Sequence, residues 1–252
     1  MNKRFAVLIA AVIVTAVLVV GGIATAAKPV TTVSGDIHTE FNGDFSPKVL
    51  SKKKLTPISF WISGRMKTLS GEHIPPMREF LLEGDKNASI SVKGIPVCPP
   101  GKLQSTTSAA ARKACGKMLI GDGKAEAEIK FPDQPAILVK SELLAFNGGF
   151  RGGVTTLYLH AYITVPTPAA IITVVKVKKV KKGRSGLQSV ATIPKIAGGS
   201  GSVTFFKLTL DKGILSAKCP DGHLNARGTA EFQTTPPTSL NGAVVRPCTG
   251  KN

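Results

Sequence analysis

The chain has 252 residues, with 33 Lys and Arg against 15 Asp and Glu, a formal net charge of +18. Aromatics are few at 6%, whereas Gly (26) and Pro (17) are abundant, which argues against a helical bundle and for many short strands joined by turns. A charge so one-sided favours contact with polyanions over other partners, although a solvated lysine-rich surface is the plainer reading.

Lys3 and Arg4 precede an apolar run from Phe5 to Ile23, broken only by Thr15 and Gly21-Gly22. Ala24-Thr25-Ala26-Ala27 then fits a signal-peptidase site. Residues 1–27 therefore read as a signal peptide. The alternative is an uncleaved N-terminal membrane anchor, since about 20 apolar residues span a bilayer. Either one places the rest outside the cytoplasm.

Residues 28–252 keep 31 basic against 15 acidic side chains once Lys3 and Arg4 are removed. They read as a single β-rich extracytoplasmic domain, with Phe131-Pro132-Asp133-Gln134-Pro135 as the candidate boundary if there are two lobes. Residues 28–47 are polar and turn-rich and read as a loose lead-in. From Ile58 the pattern alternates, with Ile58, Phe60, Ile62 and Met66 on one face and Ser59, Trp61, Ser63 and Arg65 on the other, as in a half-buried strand. Arg78–Leu82 and Ala88–Val92 read as further strands. Asn87-Ala88-Ser89 matches a glycosylation sequon.

Ser105–Cys115 is predicted as the one helix after the leader. Ser105 or Thr106 can cap it, Arg112 and Lys113 suit its negative end, and Gly116 stops it. Strands resume at Ala125–Ile129, Ala136–Val139 and Leu143–Phe146, followed by a Gly-Gly-Phe-Arg-Gly-Gly turn at 148–153. The strand at 154–165 sets Leu157, Leu159, Ala161 and Ile163 on one face. Ile171–Val180, Leu187–Ile193, Thr204–Leu210, Leu224–Phe232 and Ala243–Arg246 complete the set. The expected fold is all-β, an antiparallel sandwich or barrel-like sheet with one short helix at about 105–115.

Cys98, Cys115, Cys219 and Cys248 should pair in an oxidising compartment. Three connectivities are open. The local one, Cys98–Cys115 with Cys219–Cys248, closes moderate loops worth ~3–4 kcal/mol each. A zinc site is disfavoured, because no C-x-x-C occurs and no histidine lies close in sequence to these cysteines.

Tyr158, His160 and Tyr162 alternate on one strand face, and with Trp61 they are candidates for a platform under sugar rings or bases. The competing reading, and the commoner one for sheet aromatics, is packing beneath a second layer. Lys176, Lys178, Lys179, Lys181, Lys182 and Arg184 form the densest charge run. They could grip phosphates or merely protect a strand edge.

No catalytic motif is present: no H-E-x-x-H, no G-x-S-x-G and no Walker-type loop. Gly198-Gly199-Ser200-Gly201-Ser202 reads as a hairpin rather than a phosphate cradle. Glu126 and Glu128 read as solvated carboxylates beside Lys124 and Lys130. The four histidines, His38, His73, His160 and His223, form no local metal motif, and no cofactor is implied.

Gly94-Ile95-Pro96-Val97-Cys98, Lys102-Leu103-Gln104-Ser105-Thr106-Thr107, Leu119-Ile120-Gly121-Asp122-Gly123, Leu144-Ala145-Phe146-Asn147-Gly148 and Ser216-Ala217-Lys218-Cys219-Pro220-Asp221-Gly222 occur in this order. In that combination the chain resembles an uncharacterised group of exported actinobacterial β-rich proteins. The resemblance runs from about Pro47 to Cys248. It implies export, a β-rich fold and locally paired cysteines, and it transfers no site residue.

The expectation is a non-catalytic secreted or envelope-associated protein that binds anionic extracellular polymers. Anionic wall polymer or a membrane surface would be its partner, and nucleic acid is not expected for an exported chain. The alternative is a carbohydrate-binding module or a glycan-active hydrolase.

Overall fold

The computed structural model describes residues 28–181, 183 and 185–252. The leader at 1–27 and Lys182 and Arg184 of the lysine run lie outside the described residues. Strands β1 (Val30–Ser34), β2 (Ile37–Ser46), β3 (Val49–Ser51), β4 (Thr56–Thr68), β5 (Met77–Asp85) and β6 (Ala88–Ile90) precede helix α1 (Ser108–Cys115). A meander follows: β7 (Leu119–Ile129), β8 (Ile137–Arg151), β9 (Val154–Ile163), β10 (Ala169–Lys179) and β11 (Ser185–Thr192). β12 (Gly201–Ala217), β13 (His223–Phe232), β14 (Thr238–Pro247) and β15 (Thr249–Lys251) complete the chain.

Twelve of these strands form one antiparallel sheet in the order β1-β2-β4-β12-β7-β8-β9-β10-β11-β5-β13-β14, and β6 pairs with β12 beside it. The two ends of that path meet. Thr32 Oγ1 on β1 donates to Asn241 O on β14 at 2.7 Å. Arg246 Nε on β14 donates to Gly43 O on β2 at 2.6 Å. The result is a nearly closed barrel whose seam is fastened by side chains.

Alternation decides which face is buried. On β4, Ile58, Ile62 and Met66 point inward and are buried, with half-buried Phe60 between them, as the sequence predicts. On β9 the inward row is Leu157, Leu159, Ala161 and Ile163.

Residues 28–47 are not a loose lead-in. They form β1 and β2, paired from Val30↔Phe41 to Ser34↔Ile37, with Gly35 at φ +56° in the turn. β2 buries Ile37, Thr39, Phe41 and Phe45. Its period was masked because Thr39 and Gly43 occupy inward positions that usually carry a larger apolar group. The segment 131–135 is the tip of the β7–β8 hairpin, between Ile129 and its partner Ile137.

Both ends of the barrel are covered. At the end where β4 begins, Phe45, Leu50, Ile58 and Leu224 pack around the Cys219–Cys248 disulfide, beside the parallel pair β3–β15. Residues 88–98 cross this same end. They bond to β12 through Ser91 N to Ile214 O (3.0 Å) and to β8 through Cys98 N to Asn147 O (2.9 Å). At the opposite end a strap, residues 69–76, inserts Ile74 among Ile37, Met66, Met77 and Phe232.

Outside the wall, residues 96–118 cover β8 and β9. Cys98–Cys115 ties the two ends of this cap together. α1 begins at Ser108, three residues later than expected. Ser105 adopts φ +51° and Thr107 is the N-cap, its side chain accepting from Ala110 N at 3.2 Å. Arg112 ion-pairs with Glu142 of β8 and with Asp122 of β7 (3.3 Å), and these carboxylates hold its pKa above the ordinary guanidinium value.

Candidate functional site

The barrel is not filled. Phe41, Phe80 and Phe206 form an aromatic cluster across it, Phe41 tilted against Phe80 at 6.2 Å and Phe206 edge-on to Phe80 at 5.1 Å between ring centroids. Gly64 and Gly228 make room for these rings, since a Cβ at either would lie 2.5–2.9 Å from ring carbons. A cavity of about 230 Å³ lies within the barrel. A single buried water needs only ~10–15 Å³ on this measure, so the space far exceeds packing slack.

The cavity wall is carbon. Ile58, Phe60 and Ile62 of β4 line it, as do Phe80 and Leu82 of β5 and Leu157, Leu159 and Ala161 of β9. Val175 and Val177 of β10 and Phe206, Leu208 and Leu210 of β12 complete most of the circumference. Small residues at Gly84, Ala125, Ala161 and Ala191 leave the volume open.

The polar groups at its edge are engaged by the protein. Asp85 accepts from Asn87 N (2.8 Å), Asn225 N (3.0 Å) and Asn225 Nδ2 (3.2 Å). Arg246 donates to Gly43 O, to the carbonyl of Lys28 and to Asn42 Oδ1. Apart from the hydroxyls of Thr173 and Ser189, what remains to face a ligand is mostly apolar.

The four residues proposed as a platform do not share a surface. Trp61 lies on the outside of β4, 5.0 Å from the Lys207 ammonium. Tyr158 and His160 lie on the outside of β9 beneath the cap, Tyr158 against its apolar cluster. His160 is fully buried and its Nε2 donates to Thr106 O at 2.8 Å. Tyr162, nearer the strap end, is half-buried.

Burial pushes the His160 pKa below its ordinary 6.5, with the Thr106 carbonyl opposing it in part. Its Nδ1 has no partner, so a second proton would be stranded. A base with a depressed folded pKa stabilises the fold fully above the unfolded value and loses that contribution as pH falls below it. Melting temperature should therefore fall as pH drops below 6.5. His160→Gln, which can still donate to Thr106 O, should flatten that slope, as differential scanning fluorimetry across the pH range would register.

One polar constellation joins residues far apart in sequence. His73 Nδ1 lies 2.6 Å from Glu128 Oε1, and His73 Nε2 lies 3.2 Å from Ser202 Oγ. The order Glu–His–Ser resembles a nucleophile relay. Its chemistry differs, because Ser202 donates to Ile74 O at 2.6 Å and is 1% exposed. The hydroxyl proton is committed to a carbonyl and no reacting group can approach. The three residues act as a latch that holds the strap, and Ile74 with it, over the barrel end.

No family model, curated protein or solved structure matches the chain. Both disulfides have the local connectivity, which indicates an oxidising environment. Among the described residues no helix is long and apolar enough to cross a membrane. Asn87 of the sequon is buried at 7% exposure. The lysine run occupies the end of β10 and the turn after it, with Lys176, Lys178, Lys179 and Lys181 exposed.

Proposed function

We propose that this protein is an extracytoplasmic, non-catalytic binding protein that encloses an apolar molecule, such as an acyl chain, inside its barrel. The observation that carries this reading is the carbon-lined cavity of about 230 Å³. An apolar cavity left empty at that volume costs about 5 kcal/mol, an expense a fold sheds by closing its wall or by taking a ligand. The signal-like leader and the two disulfides support secretion or retention at the envelope.

Glycan binding is less well supported, because sugar platforms need aromatics on one exposed face and here they are divided between separate walls. Binding of anionic polymer draws on the basic surface alone and leaves the cavity without a role.

A solvatochromic apolar dye such as N-phenyl-1-naphthylamine tests the reading. Its emission should rise on binding and fall when a long-chain fatty acid displaces it. Ala161→Trp fills the cavity from the middle of β9, and it should reduce dye binding at least tenfold while the melting temperature is kept or raised. Dye binding unchanged in that variant would place the site elsewhere.

A further inference from the structure

We infer that the barrel end carrying the Cys219–Cys248 disulfide is a docking surface for an anionic lipid bilayer. The antiparallel register places the start of β4, the end of β10, the start of β11 and the β8–β9 hairpin at this one end. Lys52, Lys53 and Lys54 are exposed here, with Lys178, Lys179 and Lys181 across the rim. None of these six has a carboxylate partner among the described residues. At the strap end Arg78 pairs with Glu231, Lys130 with Glu72 at 3.4 Å, and His73 with Glu128, while Lys67 and Lys195 are exposed there. Exposed lysines without a carboxylate partner are therefore denser at the disulfide end.

The rim is continuous. Lys52 N donates to Lys251 O and Cys219 N to Ser51 O, which joins the first lysine group to the disulfide loop. Asp221 of that loop faces Lys86 at 3.7 Å, and Gly186 of the lysine turn packs directly on the Lys86 backbone. Lys178 pairs with Val154 beside the β8–β9 hairpin.

Charge alone would suit any polyanion. Two exposed apolar side chains favour a bilayer. Phe150, at the hairpin tip, is 67% exposed, and Leu55, next to Lys52–Lys54, is 51% exposed. An apolar tip among lysines gains from entering the headgroup boundary while the lysines meet lipid phosphates. It gains nothing from a hydrated polymer. The start of the described chain agrees: Lys28, which follows the apolar leader, bonds through its carbonyl to Arg246 on this half of the barrel. The docking face stands apart from what the cavity holds, so it can fail or succeed independently of the function proposed above.

Residues 28–252 contain every described strand, the helix and both disulfides, and they are the protein to use in vesicle co-sedimentation. Binding to phosphatidylglycerol-containing vesicles should exceed binding to phosphatidylcholine vesicles and should weaken with salt. The triple substitution Lys52→Glu, Lys53→Glu, Lys54→Glu should weaken it about 100-fold or more. Phe150→Ser should weaken vesicle binding about tenfold and leave binding to soluble polyphosphate unchanged. The melting temperature, measured on the same variants, reports that they remain folded. Equal binding to both vesicle types overturns the inference. So does a Phe150→Ser variant that binds vesicles like the wild type, which would assign the rim to soluble polyanions instead.

Discussion

Gly123→Ala is expected to destabilise the fold by at least about 3 kcal/mol, read as a shift of the urea midpoint. β7 and β12 pair at Gly123↔Leu208 and Gly121↔Leu210. A Cβ at Gly123 would sit 1.8 Å from Lys207 O, and one at Gly121 would sit 2.2 Å from Thr209 O. These contacts are with backbone, so no side chain can swing aside to relieve them. The two strands would have to part where β12 links the N-terminal strands to the meander. Gly101→Ala is the control: an added Cβ there meets nothing within 4 Å, and its effect should stay within about 0.5 kcal/mol. Equal midpoints for the two variants would show that β7 and β12 are not so closely apposed.

Asn147→Ala should cost about 3 kcal/mol and also loosen the cavity. The side chain is 1% exposed. Its Nδ2 donates to Ile95 O (2.8 Å) and Pro96 O (3.0 Å), and its Oδ1 accepts from Gly149 N (2.8 Å). Alanine leaves two carbonyls and an amide without their partner, and each such loss costs ~1–3 kcal/mol when water cannot replace it. The freed segment, residues 88–98, carries Ile90, Val92 and Ile95 against the apolar cluster inside the barrel. Release of a bound dye should accordingly quicken. Asn147→Asp preserves the acceptor but loses both donors, and it should be at least as harmful because it buries a charge. A variant that melts like the wild type would mean that water already serves these carbonyls.

The inward rows of β4 and β9 were legible in the sequence because alternation needs only local information. Leu143–Phe146 also read as a strand. Its continuous apolar character has a cause the sequence did not reveal: Leu143 and Ala145 face the barrel while Leu144 and Phe146 lie under the cap. The cap likewise accounts for His160, which looks like a surface group beside Tyr158 and Tyr162 until the second layer is placed over it. β1 and β2 were missed because Thr39 and Gly43 break the apolar row.

Closure itself depends on β4–β12 and β11–β5 pairing between distant segments, which no local pattern announces. The Glu128–His73–Ser202 latch was hidden for the same reason, its members lying 55 and 129 residues apart along the chain. The cavity was the least legible feature. It arises from small residues on several separate strands, each unremarkable alone, that face one another only when the barrel closes.

Native mass spectrometry distinguishes a barrel that encloses an apolar molecule from one that holds nothing. Wild type and Ala161→Trp would be incubated with a series of medium- and long-chain fatty acids and sprayed under conditions that preserve non-covalent complexes. A one-to-one adduct is expected on the wild type, strengthening with chain length until the cavity is full, and it should be lost in Ala161→Trp. Adducts of equal abundance on both proteins, or none at any chain length, would contradict enclosure.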